Sequence, residues 1–354
     1  MAPDDEFASW LQAQAEQHLF SGVTLAWRHG APVLSAAAGI ADRRNGLPVT
    51  AETRFSVASV TKMVTAASCL RLVDRGLLDL HQPVRDILPA EHRIAALSDD
   101  VTTHHLLSHT SGLEDYFDDD DDTWATWYAA WDRVPTYRVR TPADLLPLFA
   151  NLPPRSAPGA VYRYTNANYV LAGLVIEAVT GAPWTQVATD EVLRPAGLSD
   201  SGFPHLDSDP PGLATGYLYD ADLPWESWRS NIFGLTAAPM PDGGMITTAE
   251  DLARLLDAVT GGELLSARST AAMTTSHLDR PESTRYGYGC ELELGRDGRV
   301  AILGHSGMDP GAQAQLWRYT ESETTLVVVC NQDRGGWPAL QQLARVLGIA
   351  DTRA

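Results

Sequence analysis

At 354 residues, with 44% hydrophobic and 20% charged side chains, the chain can bury one large core or two modest ones. A net charge of −19 with no basic face argues against nucleic acid and anionic membrane surfaces as partners, and favours neutral or cationic small molecules. Met1 to Phe7 lack the basic and apolar regions of an export signal, and no later stretch is long enough to span a bilayer, so a cytoplasmic location is expected.

In chain order, residues 7 to 18 predict an amphipathic helix with Phe7, Trp10, Leu11 and Ala15 on one face. Two strands follow, Gly22 to Trp27 and Pro32 to Gly39, around a turn at Arg28-His29-Gly30-Ala31. Phe55 to Ala67 then reads as a short extended approach leading into a helix that runs to Leu72, with Ser59 near its start. Lys62, three residues on, is the one lysine of the chain, against 25 arginines. A guanidinium cannot give up its proton, whereas a lysine amine can. Residues i and i+3 share a helix face, so the Ser59 hydroxyl and the Lys62 amine are expected within hydrogen-bond reach, a nucleophile beside a base. The helix N-terminus would favour negative charge at Ser59. The alternative is an N-cap serine and a solvated lysine.

From about residue 82 to 262 the pattern is helical and loop-rich, with helices predicted at Leu145 to Phe149, Tyr169 to Val179 and Ala249 to Val259. Strand signals return at Val300 to Leu303, Ala314 to Tyr319 and Thr324 to Cys330, before a closing helix from Pro338 to Val346. Sheet signals at both ends predict an α+β architecture: an antiparallel sheet flanked by terminal helices, built from 1–81 and 263–354, with a mostly helical inserted domain at 82–262 and the active site between them.

Two further clusters could complete a site. Tyr164 and Asn166 stand two apart before a predicted helix, a phenol able to exchange a proton and an amide able to bond both a lysine and a carbonyl. Gly304-His305-Ser306-Gly307-Met308 lies between two strand-like runs, where glycines let backbone N–H groups approach a ligand; read alone, it is a polar hairpin tip. After Glu114-Asp115-Tyr116-Phe117 comes a run of aspartates, Asp118 to Asp122, either a cation-attracting loop or a solvated one. Trp124, Trp127, Tyr128 and Trp131 then form one helical stripe, a core face or an aromatic pocket. Tyr217, Tyr219, Trp225, Trp228 and Phe233 are further pocket candidates. Cys69, Cys290 and Cys330 are an odd count without zinc-type spacing and read as buried thiols. The histidines, His104, His105 and His109 included, suggest no metal site, and no cofactor is implied.

The order and spacing of these clusters resemble the serine β-lactamase and penicillin-recognising superfamily, in its class C-like branch, which also contains esterases, D-aminopeptidases, D-amino-acid amidases and transacylases. Ser59-Val60-Thr61-Lys62 resembles the S-x-x-K motif, Tyr164-Thr165-Asn166 the Y-x-N motif, and His305-Ser306-Gly307 the third motif, usually K-T-G. Leu106 to Leu113 resembles the family's L-L-x-H-T-S-G-L loop and Gly243 to Leu252 its G-G-x-x-S/T-x-x-D-L run; Gly39-Ile40-Ala41-Asp42 with Pro48-Val49-Thr50 matches the approach to the nucleophile helix. The likeness implies that Ser59 is acylated and that Lys62 and Tyr164 share the proton transfers. It also implies that Asn166 binds the substrate carbonyl and that the backbone N–H groups of Ser59 and Met308 form the oxyanion hole. His305 departs from the usual lysine, which weakens support for a substrate carboxylate and lowers the expectation of β-lactamase activity.

The expected function is a serine acyl-enzyme hydrolase acting on a small ester, amide or peptide. A transacylase passing the acyl group to an amine, and an inactive binding protein of the same fold, are the alternatives. The sequence leaves the oligomeric state open.

Overall fold

The computed structural model describes residues 3–118, 124–278 and 284–349. Helix α1 (Pro3–Glu16) buries Phe7 and Leu11, with Trp10 and Ala15 packed beside them, the face its spacing predicts. Strands β1 (Gly22–Arg28) and β2 (Ala31–Ala38) are joined at His29 and Gly30. Both residues have positive φ, 53° and 77°, as a tight hairpin turn with the twist of its strands requires. The remaining strands come late in the chain: β3 (Thr284–Tyr286), β4 (Glu291–Leu294), β5 (Val300–Asp309), β6 (Ala312–Tyr319) and β7 (Thr324–Cys330). They form an antiparallel sheet of order β2-β1-β7-β6-β5-β4-β3, so the two ends of the chain meet at the β1–β7 pairing.

β7 is buried along its whole length because both faces of the sheet are covered. Side chains alternate along a strand. Leu326, Val328 and Cys330 join the smaller core with α1 and α6 (Gly336–Val346), while Val327 and Val329 join the larger core behind the sheet. That larger core holds α2 (Thr61–Asp74) and α4 (Asn166–Thr180), which pack on each other. Between them in sequence lies α3 (Ala125–Arg133). Helix α5 (Ala249–Thr260) lies against β1, β6 and β7. Asp257 fastens it there, accepting from Trp27 Nε1 at 2.6 Å and Arg318 Nη1 at 2.5 Å.

β5 continues unbroken to Asp309, so Gly304 to Met308 lie inside a strand and the hairpin tip falls at Pro310 and Gly311. The glycines that read as a turn mark close packing instead. A Cβ at Gly304 would overlap Leu316 O, and one at Gly307 would overlap Val57 O. All three cysteines are buried and unpaired, with burial pushing the Cys69 and Cys290 thiols up to about 12. Among the described residues no single helix is long and apolar enough to cross a membrane.

His81, His104, His105 and His277 cluster beside Tyr288, whose hydroxyl lies 2.7 Å from His104 Nδ1. Burial, reinforced by the neighbouring imidazoles, lowers His104 to about 4. A neutral buried histidine stabilises the fold above the unfolded value of 6.5 and loses that contribution as pH falls towards 4, where only the unfolded chain gains the proton. Thermal melts of wild type and His104→Asn should therefore converge or cross between pH 6.5 and 4, with wild type losing more. Parallel pH profiles would refute this assignment.

Candidate active site

The short strand Phe55–Ser56 pairs with Ile246–Thr247 and delivers the chain to a tight turn, Ala58–Val60, ahead of α2. Ala58 and Val60 are wholly buried, and Ala58 holds φ 46°, a costly conformation for a residue with a side chain. Ser59 is the one residue of the turn with exposed surface. Lys62, one helical turn on, is 0% exposed. Its Nζ donates to Ser59 Oγ at 2.9 Å, Asn166 Oδ1 at 2.6 Å and Asp242 O at 2.7 Å. The loop supplying Asp242 is tied to the same helix: Thr61 Oγ1 accepts from Gly244 N and Met245 N at 3.0 Å each, and Thr65 Oγ1 donates to Pro241 O at 2.7 Å. The amine is thus fixed by partners over 100 residues away in sequence.

Asn166 opens α4, and the Asp115 carboxylate sits at that helix start. It accepts from Asn166 N at 2.7 Å, Asn166 Nδ2 at 3.0 Å and Ala167 N at 3.3 Å. This sets the Asn166 amide with Oδ1 towards Lys62. Burial raises Asp115 to about 6 against the pull of those donors. The Tyr164 ring centroid is 5.0 Å from Lys62 Nζ and 4.4 Å from the His109 ring. His109 Nδ1 accepts from Thr165 N at 3.2 Å, and burial followed by the Lys62 charge holds it well below its ordinary value, so it is a neutral support for the tyrosine.

On β5, His305 Nε2 faces the Tyr286 hydroxyl at 3.0 Å and Nδ1 donates to Ser306 O at 2.5 Å. Burial lowers His305, with Glu291 opposing and Lys62 adding to the fall, so no fixed cation stands where the resembling family usually has lysine. The Ser306 hydroxyl donates to Glu291 Oε1 at 3.0 Å. At Gly307 the strand passes directly over the nucleophile turn, close to Val57 O and Ser59 N.

Ser59, Phe117, Trp127 and Met308 border two adjoining spaces. The first, a narrow cavity of about 60 Å³, is also walled by Tyr116 and Trp131 and bordered by Asn166, Asp242 and Asp309. The second, an open cleft of about 700 Å³, is also lined by Tyr162, Tyr164, Tyr219, His305 and Arg334 and by the acidic residues Asp118, Glu291 and Asp333. The aromatic stripe of α3 therefore serves as core and pocket at once, except for Tyr128, which is 37% exposed. The second aromatic group divides. Tyr217, Trp225 and Trp228 brace Arg43, which donates to Trp228 O at 2.7 Å and to Trp225 O, and they line neither space. Phe233, 78% exposed, borders a separate groove, and only Tyr219 reaches the cleft. Asp119 to Asp122 lie outside the described residues.

No motif in the sequence marks a role for Asp115, Asp242, Asp309 or Tyr286, and His109 stands there only as part of the family-like loop. Asp115 alone left a signal, in the polar run after Leu113.

A family model described as Beta-lactamase matches residues 7–350. Esterase EstB of Burkholderia gladioli is 34% identical over 70% of this chain and 67% of its own length. The crystal structure of a penicillin-binding protein from Bacillus halodurans superposes with a TM-score of 0.85 at 33% identity, covering 95% of this chain and 99% of that one. A D-stereospecific amidohydrolase from Streptomyces sp. gives 0.78 at 26% identity, over 98% and 99% of the two chains. The match spans the sheet, the helices and all three motif positions alike, and the chain belongs to the beta-lactamase family.

Proposed function

We propose that this protein is a serine hydrolase that forms an acyl-Ser59 intermediate from small esters or amides. The observation that carries this is the 2.9 Å hydrogen bond from a wholly buried Lys62 amine to the partly exposed Ser59 hydroxyl. In the proposed cycle the Lys62 amine is neutral, its two N–H groups donating to Asn166 Oδ1 and Asp242 O and its lone pair turned to Ser59 Oγ, so that as Oγ attacks the substrate carbonyl its proton passes to the Lys62–Tyr164 pair. The oxyanion is held by the backbone N–H groups of Ser59 and Met308, and the Asn166 amide steadies the acyl group. The pair returns the proton to the leaving group, and water then adds to the acyl-enzyme by the same route and releases the acid. His305, Ser306 and Gly307 shape the strand opposite the turn. The proposal places this site between the sheet domain (1–81 and 263–354) and the helical domain (82–262), with α5 packed on the sheet side. An esterase and an amidohydrolase among the relatives support the substrate class. A cytoplasmic location, in keeping with three buried unpaired thiols, is part of this reading and is tested by cell fractionation.

Intact-mass spectrometry with a short-chain p-nitrophenyl ester, with and without added amines, tests the reaction. The expected result is a wild-type acyl adduct that turns over to free acid and is absent in Ser59→Ala. An adduct that persists in water but yields amide with an amine would make the protein a transacylase. No adduct from any of several acyl donors would leave a binding protein.

A further inference from the structure

We propose that Asp115 is a positioning residue for the proton transfer: it turns the Asn166 amide so that the Lys62 amine presents its lone pair to Ser59. The inference rests on the serine-hydrolase reading above. Asp115 acts through Asn166 and takes no part in the bonds that form and break.

Both oxygens of the carboxylate are engaged. Oδ2 accepts from Asn166 N at 2.7 Å and Asn166 Nδ2 at 3.0 Å, and Oδ1 from Tyr116 N at 2.8 Å and Ala167 N at 3.3 Å. The backbone donors at Asn166 and Ala167 are the ordinary needs of a helix start, and Thr165, the residue before α4, meets none of them with its side chain. The bond from Asn166 Nδ2 differs in kind. A carboxylate only accepts, so it holds the amide nitrogen on its own side and the amide oxygen on the other, 2.6 Å from Lys62 Nζ. Lys62 can then place hydrogens on Asn166 Oδ1 and Asp242 O, with the lone pair left for Ser59 Oγ at 2.9 Å. Turned over, the amide would aim an N–H at Lys62, compete with the Ser59 proton for that lone pair and withdraw an acceptor. The two orientations have nearly the same shape, so packing does not choose between them and the Asp115 charge does. Of the two acceptors only the amide can turn, because Thr61 and Thr65 tie the Asp242 loop to α2.

The test is a double-mutant cycle on p-nitrophenyl acetate with Asp115→Asn, Asn166→Ala, both together, and Ser59→Ala as control. Asp115→Asn keeps the side chain's shape but can face Asn166 with an N–H, which favours the turned amide. The acylation rate constant, read from the p-nitrophenol burst, should fall by about 100-fold, with the KM for acylation changed by less than about 3-fold. In the Asn166→Ala background no amide remains to be turned, and the same change should slow acylation by less than about 3-fold. Loss of the Asp115 charge would by itself favour a neutral Lys62, so a fall in rate reports orientation and not the field. Thermal melts should show the opposite pattern, with a similar loss of stability in both backgrounds, because the backbone N–H groups lose their acceptor in each. Asp115→Ala, which leaves room for water on the freed N–H groups, carries the same cycle if the carboxamide variant fails to fold. An equal slowing in both backgrounds would make Asp115 a helix cap only and overturn the proposal, leaving the hydrolase reading intact. Wild-type acylation in Asp115→Asn would do the same. Absence of any Ser59-dependent release from the wild type would overturn the hydrolase reading and the positioning role with it.

Discussion

Lys62→Arg should lower kcat/KM by about 10,000-fold, as much as Ser59→Ala, and the double variant should be no worse than either single change. The arginine keeps a positive charge near Ser59 but cannot accept its proton, so the substitution separates electrostatic support from base catalysis. Non-additivity is expected because the hydroxyl and the amine act as one unit across a 2.9 Å hydrogen bond. The larger guanidinium must also fit a wholly buried site whose acceptors, Asn166 Oδ1 and Asp242 O, are arranged for a primary amine. Some loss of stability is therefore expected, and thermal melts belong with the kinetics. Lys62→Met, of similar length and without charge, should be equally inactive. An arginine variant that folds and keeps more than about a tenth of wild-type acylation would remove Lys62 from the proton transfer.

The parts of this site legible in the sequence are those set by local geometry. Ser59 and Lys62 lie three residues apart across the entry to one helix, so spacing alone brings them together, and Tyr164 and Asn166 stand two apart at the entry to another, each reaching Lys62. The run Thr324 to Cys330 announced the strand β7, though not that both its faces are covered. What spacing cannot carry is a contact made by the fold. Asp242 reaches Lys62 across 180 residues, and Asp115 reaches Asn166 across 51, each from a loop whose spacing says nothing of its partner. The third cluster was located but misplaced in form: Gly304 and Gly307 signal a turn by composition, whereas their missing side chains admit neighbouring backbone to an extended strand. Arg43 shows the converse error. The aromatic residues it gathers look like a pocket in sequence, and the guanidinium fills their space instead.

Gly307→Ala should lower kcat by about 100- to 1,000-fold, the order lost when one oxyanion donor is displaced, with a smaller change in KM. The added methyl would overlap Val57 O and stand 3.0 Å from Ser59 N and 3.2 Å from Ala58 Cβ. All three neighbours belong to the turn that presents the nucleophile, and that turn has little room to yield. Ala58 is wholly buried at φ 46°, Val57 N is bonded to Met245 O at 3.2 Å, and Thr61 is bonded to Gly244 N and Met245 N. The strand must move instead, and with it the Met308 N–H proposed to hold the oxyanion. Because β5 is paired to β6 from Ile302 to Asp309, the shift strains the ladder, and a stability loss of about 1–3 kcal/mol is expected from overpacking. The two effects can be told apart. Acylation by an activated p-nitrophenyl ester, measured well below the variant's melting temperature, reports the oxyanion hole, and the melt reports the strain. Wild-type kcat in a variant destabilised as expected would mean that the Met308 N–H does not hold the oxyanion.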